Sequence, residues 1–588
     1  MICDSFTKLF LYHVILLNED NLLQILYVLL STLLICSTLA IFSYGNSFSI
    51  PHITAKLKST VSYSLATRQD SANSTLTPVI THGIASGDVT NHSAIIWSKT
   101  NRNALMTVSY ATNQDFKNPF TIPQSSNNSA KTGLEANNST DFTGHLKLEN
   151  LKPDTLYYYK VRFSDPQNTS IVSPYSLIGS FRTAPDSNTT KALVSFVVGG
   201  DLGGQEYCRR AELSRGYPIF GVIKALSPDF FIFNGDQIYA DNTCTAGGPV
   251  NVTGWHNVLG NYSSVADDKV NWNDQNQIQQ VFDSHWEYNR ADPFLKSLLQ
   301  NTSIYSQADD HEVLNNYGGS WKYYNEAYKN RTGYSNVVNG GLNAFFNFSP
   351  MAVFKNNTNN NDDNNNTISQ HKIYRSFNWG KDLDLFILDA HSFRSRHDSP
   401  NSANKTLLGK DQLRWLEEGL LNSKTTWKVI SDDDPITIPS CDEKESLHTP
   451  RGCDNWATDG KIKWSFAAER DEFMRFLDNN NIKNVIFVTT DVHFPANIMI
   501  NEDPNHDGRK LTVYELVSGP LSAGPTEQPG KLDPTINATY LYKEGKIFTF
   551  GHYSLKKDPS DDKVHFIAEV RGVDDLVRPG SRLDLKPK

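Results

Sequence analysis

Six times along this chain a short apolar run stops at an acidic residue, and that repetition constrains the fold more than any other feature. The runs are 193-LVSFVVGGDLGG-204, 229-DFFIFNGDQIYAD-241, 303-SIYSQADDHEV-313, 384-DLFILDAHSFRSRH-397, 427-WKVISDDDPIT-437 and 484-NVIFVTTDVHF-494. They are rich in β-branched and aromatic residues, and helical patterns separate several of them. They therefore read as core strands of a layered α/β fold. In such folds the strand ends deliver side chains to one rim, where ligands bind. One Gly-Asp turn after a strand is ordinary turn chemistry. Several acidic ends on one rim would repel each other and cost desolvation unless a cation neutralised them. The pattern points to metal.

Between and around the strands, helices are expected over 215–227, opening near Gly216-Tyr217-Pro218, and over 411–423 and 465–480, the last two from amphipathic spacing. Segments 241–290 and 325–375 are long, polar and aromatic, and are expected as insertions at the rim, where specificity usually sits. Within the second, 356-NNTNNNDDNNNT-367 is low-complexity sequence expected to be solvated.

The region before the first acidic strand differs. Residues 79–186 carry short alternating strands separated by turns, which predicts an all-β sandwich. Its stretch 148-LENLKPDTLYYYKVRF-163 resembles the fibronectin type III segment in which a tyrosine hydroxyl tethers the loop between strands. Further upstream, 22-LLQILYVLLSTLLICSTLAIF-42 matches a membrane's thickness. Residues 1–45 are expected to be a membrane anchor, with a cleaved signal peptide as the alternative, and 46–78 a Ser/Thr-rich linker. Everything beyond is expected outside the cytoplasm.

Cysteine usage agrees. Apart from Cys3 and Cys36 near the N-terminus, the chain has Cys208, Cys244, Cys441 and Cys453, an even set that suggests disulfides in an exported domain. Three pairings are possible; proximity favours 208–244 and 441–453. Sequons at Asn73, Asn251, Asn330 and Asn537 permit glycosylation. The net charge of −9, without a Lys/Arg stripe, disfavours nucleic-acid binding.

A two-cation site needs a bridging carboxylate, further oxygen or imidazole ligands, and an open position. Asp201 and Asp236 supply carboxylates after successive strands, and Tyr239, three residues beyond Asp236, can turn back as a phenolate suited to ferric iron. Asp310 and His311 follow the next strand, and Asp491 and His493 the last.

The series GD-LG, GDQIYAD, DDHEV, FILDAHSFRS, LGKDQLRWLEEGL and TTDVHF resembles the metallophosphoesterase superfamily, which includes purple acid phosphatases, and within it the PhoD-type alkaline phosphatase/phosphodiesterase family, over most of residues 79–525. The resemblance implies a layered metallophosphoesterase β-sandwich flanked by helices over 187–588, preceded by the smaller sandwich. It implies Asp201, Asp236, Tyr239, Asp310, Asp491 and His493 as metal ligands, although well-known members carry cysteine where this chain has Asp201. It also implies ferric iron with calcium, and a metal-bound hydroxide attacking phosphate esters, with phosphate scavenging as the role. His311 would protonate the leaving group. Arg394, Arg396 and Asn234 are expected at the substrate phosphate, the two arginines through their guanidinium forks. One or more of Asp432, Asp433 and Asp434 should enter the second metal's shell. The alternatives are a phospholipase D-like phosphodiesterase on the same site and a non-catalytic cell-surface or structural protein on this scaffold. A GxSxG nucleophile motif is absent.

Overall fold

The computed structural model describes residues 77–123, 133–174, 176–318, 331–352, 372–442 and 452–588. The expected anchor, nearly all of the linker and the Asn-rich run 356–367 lie outside these residues. Among the described residues no helix is long and apolar enough to cross a membrane.

Two sheets face each other. In one, Leu193–Gly199, Phe230–Asn234 and Ser303–Gln307 run parallel side by side. In the other, Leu383–Ile387, Trp427–Ser431, Val485–Thr489 and Leu511–Val517 do the same. Strands this apolar bury both faces, because successive side chains point to opposite sides of the pleat. Phe230 and Ile232 meet Leu385, Val429 and Ile486 of the facing sheet, whereas Phe231 and Phe233 point outward into a helical layer. That layer contains Ile219–Leu226, Gln275–Arg290, Pro293–Leu299 and Tyr334–Phe348. Helices Lys410–Asn422 and Ala467–Asn479 cover the outer face of the other sheet through Leu416, Leu420, Phe473 and Leu477. The result is helix, sheet, sheet, helix.

Three predicted helices form at the expected places within a few residues. The expectation for 241–290 and 325–375 needs correction. Gln275–Arg290 and Tyr334–Phe348 are amphipathic helices that bury Ile278, Phe282, Trp286, Val337 and Phe345, so much of both segments is core rather than rim. Asp274 starts the first by accepting from the backbone N–H of Asn276 and Gln277 at 3.0 and 3.1 Å.

The all-β region forms the expected sandwich, and its tyrosine tether is present: Tyr157 Oη accepts from the Lys152 backbone N–H at 2.9 Å. One of its two sheets does not stop there. Ile80–Gly87, Ala94–Thr100 and Thr143–Leu148 continue the large sheet beyond Ser303–Gln307, giving nine strands in all. The junction is the parallel pairing of Gly87 with Ile304. A Cβ on Gly87 would meet the Pro350 carbonyl oxygen at 2.4 Å and that of Ile304 at 2.7 Å, so the close approach needs glycine. Asp88 next to it takes a bidentate pair from Arg375 at 2.8–3.1 Å, tying the junction to an edge strand of the opposing sheet.

Candidate metal centre

The strand ends converge. Asp201, Asp236 and His493 each place a potential ligand atom within 4.8 Å of the others; Asp236, Asp310 and His311 do the same, and so do Asp309, His391 and Asp433. Asp236 belongs to the first two groups. All members are buried except His311 and His493, which are partly exposed. A fourth group, Asp558, His565 and Asp584, lies at a far sheet edge and is unrelated.

The turns that carry these groups are strained. Asp201, Asp236, Asp491 and His493 adopt left-handed φ of 57°, 48°, 64° and 57°. Such backbone costs on the order of 1–3 kcal/mol per residue and persists where surroundings enforce it, which is common at functional sites. Close approach enforces it here. A Cβ on Gly200 would lie 2.2 Å from the Asn234 carbonyl oxygen, and one on Gly519 would lie 2.6 Å from Asp201 Oδ2. The Asp491 backbone N–H donates to Asp201 Oδ1 at 3.2 Å, and that of Leu202 donates to the Asp236 carbonyl at 2.8 Å.

Electrostatically the cluster is incomplete as protein alone. Burial, then Asp309, pushes the Asp201 carboxyl well up; burial likewise raises Asp236 and Asp491, with neighbouring carboxylates adding to it. Asp310 is raised to about 6 by burial against the pull of His311. Buried oxygens on Asp201, Asp309, Asp310 and Asp434 have no hydrogen-bond donor among the described residues. Orphaned oxygens crowded like this fit hard cations, which carboxylates and imidazole bind without needing a donor. Tyr239 fits too. Burial and then Asp236 and Asp201 hold its phenol protonated, so only a strongly acidic cation would draw the proton off. Its hydroxyl lies 2.9 Å from His493 Nε2, and His493 Nδ1 faces the Gly524 carbonyl at 2.8 Å.

His311 is held between carboxylates. Its Nδ1 lies 2.7 Å from Asp241 Oδ1, its Nε2 lies 3.8 Å from Asp310 Oδ1, and its ring centroid is 4.2 Å from that of Tyr239. Burial would lower this imidazole, but Asp241, Asp310 and Asp236 together raise it well above its usual value.

Three expected substrate contacts are placed otherwise. Asn234 is wholly buried, and its amide donates to Ser431 Oγ and to the Asp432 and Val488 carbonyls at 2.9–3.1 Å, riveting one sheet to the other. Arg394 is also buried, its guanidinium committed to Asp434 at 3.2 Å, to Asp454 and to the Ala390 carbonyl. It orients an acidic loop and has no fork left for phosphate. Arg396 is exposed and pairs with Asp398 at 2.8–2.9 Å.

Of the three loop aspartates, Asp433 and Asp434 face the site: His391 Nε2 lies 2.9 Å from Asp433 Oδ2, 3.0 Å from Asp309 Oδ1 and 3.9 Å from Asp434 Oδ2. Asp309 and His391 stand at strand ends in the sequence, and only the fold brings them together. Glu312 and Asp241 gave no signal of their roles. Glu312 is fully buried and its carboxylate accepts from the backbone N–H of Asp309 at 2.8 Å and Asp236 at 3.1 Å, clamping two ligand turns together. The expected disulfides are present: Cys208–Cys244 joins the segments after the first two acidic strand ends, and Cys441–Cys453 closes the short loop.

The family model described as PhoD-like phosphatase matches residues 197–553, and that of the PhoD-like phosphatase N-terminal domain matches 65–185. Alkaline phosphatase D of Bacillus subtilis (strain 168) is 23% identical over 468 residues, covering 76% of this chain and 69% of that protein. Among solved structures, that of PhoD aligns with a TM-score of 0.60 at 17% identity, over 88% of this chain and 94% of its own. Purple acid phosphatase PPD1 from yellow lupin (Lupinus luteus) seeds aligns at 0.51 and 14%, over 87% and 74%. At these identities the two structures support the fold alone: a layered β-sandwich flanked by helices, with an all-β N-terminal part.

Proposed function

Since the chain belongs to the PhoD-like phosphatase family and is a phosphoric ester hydrolase, we propose that it cleaves phosphate esters outside the cytoplasm at the convergence of Asp201, Asp236, Asp310, His311 and His493, releasing phosphate for uptake. The observation that carries this reading is Asp236, which stands in two adjoining ligand groups at once, as a carboxylate shared by two cations must. Asp201, Tyr239 and His493 would hold the first cation, with Asp491 beside them. Asp310 and His311 stand on the other side of Asp236, and Asp309, His391 and Asp433 enlarge the oxygen-rich shell. A phenol beside carboxylates suits ferric iron, and a shell this rich in carboxylate suits calcium. When bound, the cations neutralise the phosphate charge and activate water.

The chain's own residues do the rest. Asp241 fixes His311 by Nδ1 and leaves Nε2 on the side of Asp310. A protonated His311 can then deliver its proton from Nε2 to the departing ester oxygen, a role typically worth about 10²–10⁴ in rate. Glu312 keeps the turns of Asp236 and Asp309 at fixed separation, so the ligands need not reorganise during reaction. The two disulfides favour an oxidising compartment.

The test is elemental analysis of the purified full chain with p-nitrophenyl phosphate and bis-p-nitrophenyl phosphate as substrates. Bound iron with calcium, a visible absorption band that disappears in Tyr239→Phe, and turnover of either ester are expected. A chain that binds neither ion after reconstitution and turns over neither ester refutes the assignment.

A further inference from the structure

A cavity of about 840 Å³ opens between the helices Gln275–Arg290 and Tyr334–Phe348 and the turn at 138–141. None of the proposed metal ligands lines it. Drug-sized pockets of this volume are mostly apolar. This one is walled by amides. Asn138, Asn276, Gln280, Asn339 and Asn343 all line it, and their side chains make no hydrogen bond to another described residue. Asn339 Oδ1 is moreover buried from solvent with no donor. A buried acceptor left unpaired costs about 1–3 kcal/mol, a deficit a ligand hydroxyl would remove.

The helices are built to present these groups. Gly340 lets them approach closely: a Cβ there would lie 2.6 Å from Ile278 Cγ2. Asn276, Gln280, Asp283 and Glu287 fall on one side of the first helix at three- or four-residue spacing, and Asn336, Asn339 and Asn343 on one side of the second. Each carboxamide offers a donor and an acceptor together. A partner that satisfies many at once must do the same, which hydroxyl groups do and phosphate oxygens do not. Charge points the same way. Asp141 and Glu287 bracket Lys99 at 2.7 and 3.1 Å, and Asp283 adds a further carboxyl, so the cavity disfavours anions.

The geometry points to a binding site for a neutral, hydroxyl-rich oligosaccharide in this amide-walled groove, separate from the metal centre. Such a ligand has two sources. One is an external polysaccharide. The other is this chain, since Asn138 begins the sequon Asn138-Ser139-Thr140 at the mouth of the groove.

The experiment titrates the full chain, produced without N-glycosylation, with maltohexaose, cellohexaose, chitohexaose and mannohexaose, and with glucose 6-phosphate as the anionic control. At least one hexasaccharide is expected to bind with Kd below about 1 mM and more tightly than the control. The double variant Gln280→Leu/Asn343→Leu, and independently Asn339→Leu, should weaken it by about tenfold or more, while p-nitrophenyl phosphate hydrolysis stays unchanged. Asn137-Asn138-Ser139 is an overlapping sequon, so both asparagines are replaced together: in protein from a glycosylating host, free sugar that binds only after Asn137→Gln/Asn138→Gln identifies the chain's own glycan as the occupant, and binding regardless of that change identifies an external one. Absence of binding by all four sugars overturns the proposal, as does affinity unaltered by both variants.

Discussion

Replacing Asn234 by alanine separates a structural rivet from a substrate contact. The Asn234 amide serves three acceptors, and their fates on truncation differ. Ser431 Oγ keeps its bond to Gln307 at 2.6 Å, and the Val488 carbonyl keeps the Asp432 N–H at 3.1 Å. Thr490 Oγ1 keeps the Asn234 backbone carbonyl at 2.7 Å. The Asp432 carbonyl alone loses its donor at 3.0 Å. One buried carbonyl left bare costs about 1–3 kcal/mol, and the void where the amide stood adds to it. A total of about 2–4 kcal/mol is expected. For a cooperative unit of this size the unfolding entropy is on the order of 1 kcal/mol per kelvin, so Tm should fall by about 2–4 °C. The assay pairs thermal unfolding with steady-state kinetics on p-nitrophenyl phosphate below the transition, where KM should stay within about twofold. A KM raised tenfold at unchanged Tm would refute the reasoning and return Asn234 to the substrate.

Stripping cations with a chelator should destabilise the fold, because the carboxylates of Asp201, Asp236 and Asp310 are left facing each other; a Tm that ignores both chelator and added metal contradicts the site. Cys208→Ser/Cys244→Ser opens a loop of sequence separation 36 and should cost about 4 kcal/mol by loop entropy, read as a drop in Tm of a few degrees. His145, facing the Ser349 carbonyl at 2.9 Å, is held by burial at about 4, below its usual 6.5. The unfolded chain therefore takes up a proton first as pH falls, and stability is full above about 6.5 and lost on the way down to about 4, with about 2–3 kcal/mol gone by pH 4.5. His145→Gln should flatten the Tm profile across that window; an identical slope would show that this histidine does not contribute.

How much of this was legible depended on range. The strand ends were readable because each is a local event: an apolar run stops and an acidic residue follows, as at Asn234-Gly235-Asp236. The helices at 410–422 and 467–479 were readable from their apolar period for the same reason. What stayed hidden was set by contacts across the chain. That Asp309, His391 and Asp433 meet depends on strands in two different sheets closing face to face. Glu312 acts only through backbone N–H groups, which leave no trace in side-chain chemistry. Arg394 looked like a phosphate clamp because its carboxylate partners Asp434 and Asp454 lie 40 and 60 residues away. The helices inside 241–290 and 325–375 were obscured by their Asn and Gln content, which masks a narrow buried stripe of Ile278, Phe282 and Trp286.

The strand Ile80–Gly87 gives the N-terminal sandwich a second meaning. Ser303–Gln307, which leads into Asp309 and Asp310, would otherwise be the last strand of the catalytic sheet, with a free row of N–H and C=O groups. Open edges of this kind recruit other chains and aggregate. By pairing at Gly87 and donating from the Asp88 N–H to the Ile304 carbonyl at 3.2 Å, the sandwich blocks the start of that edge. It is a guard as much as a module. Cutting the chain at residue 187 would therefore expose sticky β-structure next to Asp309 and Asp310. The fragment is expected to precipitate, and an apparent loss of activity would follow from self-association before any chemistry was tested.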